Sequence, residues 1–156
     1  MHKYFLIFGI ITVLGLILVS GCITGPLIHT PDEVWANRDY LINKQITVEG
    51  IADYYAVACT EMYCPMDCCN TCSGGLGLRI DEERGLNVRG ESEEKGNYGL
   101  YNGERVGCEG NECDIRCYPL EAGKKYRVTG ILKKETWDVA PYEEFYLELI
   151  NFELVE

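Results

Sequence analysis

Histidine is nearly missing from this chain. Its 156 residues hold two, His2 and His29, and both precede the segment patterned as a folded domain. A Ser/His/Asp triad and a histidine-based metal site are therefore excluded. Positive charge is also scarce. Fourteen Lys and Arg stand against 25 Asp and Glu, a formal net charge of −11. Affinity for a polyanion rests on basic side chains that neutralise phosphates, so nucleic acid is not an expected partner. No Gly-x4-Gly-Lys-Ser/Thr phosphate loop occurs. Gly74-Gly75-Leu76-Gly77 is rich in glycine but lacks the lysine. No fixed-period repeat is present. Acids are abundant, yet no carboxylate pair stands out from the rest. No catalytic residue, metal or cofactor is assigned, and the chain is not expected to be an enzyme.

One long apolar run is present. Tyr4 to Val19 carries no charge, follows the basic start Met1-His2-Lys3, and leads into Leu18-Val19-Ser20-Gly21-Cys22. A cationic start, an apolar stretch and small residues before a cut site are the layout of a secretory signal. Ser20-Gly21-Cys22 resembles the lipobox of prokaryotic lipoproteins. That resemblance implies cleavage before Cys22 and acylation of its thiol. The competing expectation is an uncleaved span. Sixteen residues make about 24 Å of helix, marginal against a hydrocarbon core of about 30 Å. Either way the domain is expected at the cell membrane, on its extracytoplasmic face. The chain then divides into residues 1–21 (signal peptide or anchor), 22–30 (tether) and 31–156 (one folded domain).

Eight further cysteines fall in two clusters. Cys59, Cys64, Cys68, Cys69 and Cys72 form the first; Cys108, Cys113 and Cys117 form the second. An even count in an exported chain points to disulfides. Connectivity stays open, since eight cysteines permit 105 pairings. Five and three are both odd, so full pairing requires at least one bridge between clusters. Both clusters contain Cys-x4-Cys-x3-Cys, which keeps a thiolate metal or iron–sulfur protein as the alternative. Cys69-x2-Cys72 is followed by Ser73-Gly74-Gly75 rather than by the helix that a redox dithiol uses.

Around the clusters the pattern is mainly β. Thr30-Pro31-Asp32-Glu33 has an N-cap residue, a proline at the first helical position and early acids. It predicts a short helix from Pro31 to about Asn37 or Leu41. Gln45 to Ile51 alternates, with Ile46 and Val48 on one face and Gly50 permitting a bend or bulge. This strand continues through Tyr54, Tyr55 and Val57. Leu76 to Ile80 alternates again. Asp81 to Gly107 reads as long polar loops with one weak strand near Leu86 to Arg89. Lys125 to Leu132 and Phe145 to Leu149 complete about five strands, and an apolar parity shift at Asn151 marks a bulge. The expectation is a small five-stranded Greek-key barrel with a short N-terminal helix and disulfide-rich loops.

The runs Ile46-Thr-Val-Glu-Gly50 and Tyr126-Arg-Val-Thr-Gly130, with a variable middle, resemble an OB-fold. The cysteine blocks are similar to those of exported, cysteine-rich OB-like prokaryotic proteins, to which no activity attaches. The resemblance implies ligand contact across the second and third strands and their flanking loops. One loop would include part of the first cysteine cluster, and the other would span Lys133 to Glu143. Tyr54, Tyr55, Trp137 and Tyr142 are the candidate contacts, since such rings offer rigid apolar area with a polar tip. A non-catalytic binding or adaptor role is expected, with a cell-envelope protein or glycan as partner besides the membrane itself.

Overall fold

The computed structural model describes residues 27–63, 67–82, 84–92, 97–137 and 142–155. The expected signal segment, Cys22 and Cys64 lie outside them. The chain is mainly β.

Strand β1 (Ile28–His29) leads into helix α1 (Pro31–Ala36) and the single turn α2 (Arg38–Leu41). The helix starts where the sequence predicts, and for a local reason. The Glu33 amide donates to Thr30 Oγ1 at 3.3 Å, and the Thr30 amide donates to Glu33 Oε2 at 2.9 Å. This reciprocal capping satisfies two amides that the first helical turn leaves unpaired. Pro31 and Val34 are its buried residues.

The long strands are β2 (Gln45–Cys59), β3 (Thr71–Arg79), β9 (Lys125–Trp137) and β10 (Tyr142–Leu154). Between them come β4 (Gly85–Arg89), β5 (Leu100–Tyr101), β6 (Glu104–Arg105), β7 (Gly107–Asn111) and β8 (Asp114–Tyr118). The main sheet has eight strands in the order β1-β2-β9-β10-β4-β3-β7-β8, and β2 also pairs with β3. The strands β2, β9, β10, β4 and β3 are therefore joined in a cycle. All its pairings are antiparallel except β10 with β4. Strands β5 and β6 make a separate two-stranded ribbon.

The expected strand count of about five is thus corrected to eight in one sheet. In the polar stretch 81–107, β4 falls where a weak strand was expected, and β5 and β6 are short strands where loops were expected. The second cysteine cluster is the β7–β8 hairpin. Its alternation escapes notice because Cys108, Gly110 and Cys117 occupy positions where aliphatic residues usually mark a strand.

Within the cycle, strand β2 serves two neighbours, while β1 pairs with it along its first half. Gln45–Ile51 pairs with β9, and the stretch from Ala52 pairs with β3. The change comes one residue after Gly50. A Cβ there would lie 2.8 Å from Pro31 Cγ, so the missing side chain also admits the start of α1. Further along, Tyr55 and Ala58 pair with Gly75 and Ser73, leaving Ala56 and Val57 opposite Gly74 alone. This bulge carries Ala56 at φ +50°. It reverses which residues of β2 face inward and so sets Cys59 opposite Cys72. The second bulge falls where the apolar parity breaks, between Leu149 and Asn151.

The core is made of inward positions of the cycle. Val48, Leu76, Leu78, Leu86, Val88, Val128, Leu132 and Leu147 are each 0 % exposed. Fully burying one such side chain contributes about 1.5–3 kcal/mol. Val106 and Leu120, from the segment between β4 and β9, join the same cluster.

Among the described residues, three disulfides have both partners placed. Cys59–Cys72 joins directly opposed residues of β2 and β3, and Cys108–Cys117 joins directly opposed residues of β7 and β8; each pair has Cα atoms 4.0 Å apart. Opposed residues approach this closely where no ladder bonds join them. Cys68–Cys113 links the two clusters across 45 residues of sequence. That is the cross-link the odd counts require. Cys69 is also disulfide-bonded. These bridges indicate an oxidising compartment outside the cytosol. Among the described residues, no helix is long and apolar enough to cross a membrane.

Candidate binding surface

The outer face of β3 and β4, where ligand contact was expected, is largely covered by the chain's own rings. Tyr55 lies across two strands. A Cβ at Gly85 would fall 2.2 Å from its ring, and one at Gly77 would fall 3.0 Å from it. The two glycines make the bed in which the ring rests. The Tyr55 hydroxyl is buried and makes no hydrogen bond. Burial, with the nearby Asp53 carboxylate, pushes its pKa up to about 12, although the Arg79 guanidinium opposes this. Tyr55 is therefore a packing residue. Tyr98 similarly lies 3.2 Å from where a Gly75 Cβ would stand.

Beside these rings sits a buried charge cluster. Arg89, 6 % exposed, reaches Glu135 Oε2 at 2.8 Å and Glu144 Oε1 at 2.5 Å. The Asn87 amide donates to Glu144 at 2.6 Å, and the Tyr146 ring lies 4.5 Å from the guanidinium carbon. Burial works against the charge on Arg89, and the two carboxylates outweigh it, so its pKa is raised. Burial also raises the pKa of Tyr146. Each charged group here answers another, and the cluster ties β4 to the β9–β10 hairpin.

The exposed candidates lie elsewhere. Tyr54 is 44 % exposed on β2. Trp137 and Tyr142 are paired partners at the ends of β9 and β10; their side chains, and residues 138–141, lie outside the described part. The loop from β2 to β3 presents Met62 at 59 % and Tyr63 at 97 % exposure. Asn70 organises this loop. Its Oδ1 accepts from the Met62 amide at 2.9 Å, and its Nδ2 donates to Glu112 Oε2 at 3.0 Å. The Thr60 amide donates to Thr71 O, and the Thr71 amide donates to Thr60 Oγ1. Cys59–Cys72 closes the base, and Cys68–Cys113 ties the far arm to the turn between β7 and β8. Met62 was not singled out from the sequence. An isolated Met in a polar stretch carries no periodic signal; its exposure is visible only once the loop is folded.

A cleft of about 330 Å³ opens on the β7–β8 hairpin, lined by Glu104, Arg105, Glu109, Arg116 and Tyr118 among others. Arg105 pairs with Glu109, and Arg116 pairs with Asp114. The sulfurs of the three bridges, with that of Cys69, are not thiolates and cannot ligate metal in this state. Among the described residues, no group of three His, Cys, Asp or Glu side chains is placed to hold a metal ion. No protein-family model and no curated protein matches the chain.

Proposed function

We propose that this chain is a membrane-tethered extracytoplasmic lipoprotein whose domain is an OB-type barrel acting as a non-catalytic adaptor for a cell-envelope protein. Support for the barrel comes from the cycle β2-β9-β10-β4-β3, with its single parallel pairing between β10 and β4. Support for export comes from the bridges together with the signal-like leader ending in Cys22.

One observation carries the binding role. Tyr63, 97 % exposed beside Met62, sits on a loop bridged at its base and along its far arm. A large exposed ring next to a pliable thioether suits a protein contact. The bridges and Asn70 hold the described arms of the loop, up to Met62 and from Cys68, in place beforehand, which lowers the ordering entropy lost on binding.

The test uses a photo-crosslinking residue at position 63 in native membranes, with position 116 as the exposed control. A discrete crosslinked protein is expected at 63, absent at 116 and lost after mild reduction. Equal labelling at both positions would refute the adaptor role. The anchor is tested separately: Cys22→Ala should abolish the lipid mass increment and leave the leader uncleaved. Normal cleavage and an unchanged mass increment would rule out Cys22 as the lipid site.

A further inference from the structure

A second cleft, of about 400 Å³, lies at the edge where β1 meets β2. Its walls include Leu27, His29, Tyr40, Lys44, Ile46 and Thr47. Leu27 is 74 % exposed and Tyr40 is 76 % exposed. Ile28 beside them is 40 % exposed. Lys44 places its ammonium 3.2 Å from the centre of the Tyr40 ring. In a strongly acidic domain, this edge presents apolar side chains, an amphipathic ring and a cation together.

The length of chain between this edge and the leader narrows the occupant. Leu27 follows Cys22 by five residues, at most about 18 Å of extended chain. An anchor at Cys22 keeps this edge within that reach of the bilayer, and one ending at Val19, eight residues before Leu27, keeps it within about 29 Å. We propose that the edge formed by Leu27, Tyr40 and Lys44 seats in the interfacial layer of that bilayer. The inference rests on the tethered reading above and adds an orientation to it. Tyr rings favour the headgroup level. Lysine can lay its stem on apolar groups and keep its ammonium in water. A short tether keeps the local concentration in the millimolar range, so a weak contact suffices.

The orientation follows from β2. The strand begins in the cleft, where Gln45, Ile46 and Thr47 contribute to the wall, and ends at Cys59 beneath the stapled loop. With its first residues on the bilayer, its far end projects away. Tyr63 is then presented to a partner beyond the membrane surface.

The experiment places a genetically encoded fluorescent residue at position 40, and separately at 63, in the full chain. Each is reconstituted in vesicles of phosphatidylcholine and phosphatidylglycerol. Brominated lipid and acrylamide report lipid and water access. At position 40 we expect quenching by brominated lipid and at least about twofold lower acrylamide quenching than at 63, as for an interfacial side chain. Equal acrylamide access at both positions in chains that float with the vesicles would overturn the proposal. Shielding at 40 that scales with protein-to-lipid ratio and ignores brominated lipid would assign the edge to a second copy and overturn it as well. Chains that do not float would instead refute the tethered reading, a result distinct from either. Leu27→Ser with Tyr40→Ser, both exposed and so compatible with folding, should raise protease access at the tether in vesicles.

Discussion

Glu135 and Glu144 face each other directly across the β9–β10 ladder. Two like charges so placed oppose the pairing. Arg89, reaching over from β4, bonds to both. The guanidinium therefore joins three strands of the cycle through one buried side chain. Arg89→Met should lower stability by about 3–5 kcal/mol, because it strands two carboxylates in a buried site. Adding Glu135→Gln and Glu144→Gln should restore much of that loss. Denaturant unfolding of the single and triple variants measures both steps, and a single variant within about 1 kcal/mol of wild type would show that the cluster behaves as a surface pair.

Tyr55 and Gly85 form the second coupled pair. The Gly85→Ala methyl would occupy the space of the Tyr55 ring. Displacing the ring should cost about 1–3 kcal/mol. The same change in a Tyr55→Ala background should cost far less. Additive losses in a double-mutant cycle would show that the glycine is needed for some other reason.

The Tyr55 hydroxyl should make stability fall in alkali. Its pKa in the folded chain is about 12, above the ordinary tyrosine value of 10.0. The neutral phenol is favoured in the fold, so the unfolded chain loses this proton first. The contribution is fully present below pH 10, declines as pH rises through the window up to 12, and then levels off. Tyr55→Phe should flatten that part of the profile. At neutral pH it should be neutral or slightly stabilising, since it removes a buried hydroxyl without a partner. A loss above about 1 kcal/mol at pH 7 would mean the hydroxyl is bonded in solution.

The bridges should differ in weight. Cys68–Cys113 closes 45 residues, whereas Cys59–Cys72 closes 13 and Cys108–Cys117 closes 9. Chain entropy assigns about 4 kcal/mol to the first and about 3 to each of the others when taken singly. Replacing Cys68 and Cys113 by Ala should therefore lower the melting temperature most. Hydrogen exchange after reduction should rise first between Cys59 and Leu120, ahead of the strands at Ile46 and Val128. Uniform loss of protection would contradict that order.

Legibility followed the range of each interaction. The α1 cap depends on residues three apart, so Thr30 and Glu33 announce it. The alternation of Ile46 with Val48 and of Tyr126 with Val128 marks half-buried strands, and their side chains do face the core. The parity break at Asn151 is a bulge. The binding candidates were less readable. A tyrosine has the same appearance in sequence whether it meets a partner or lies on glycines, and Tyr55 does the second. Tyr63 and Met62 stand out only through their exposure.

The amino-acid order alone settled the strand-rich class, the helix start and the need for a sulfur link between clusters, because periodicity, capping and parity are properties of neighbours and counts. The tertiary structure alone decided which cysteines bond, that eight strands share one sheet, and that Arg89 lies between two glutamates. Those outcomes depend on register between segments tens of residues apart. The one-residue bulge at Ala56 turns the residues that follow it in β2 to the other face, and because those residues are not buried apolar ones, no parity break marks it as one does at Asn151.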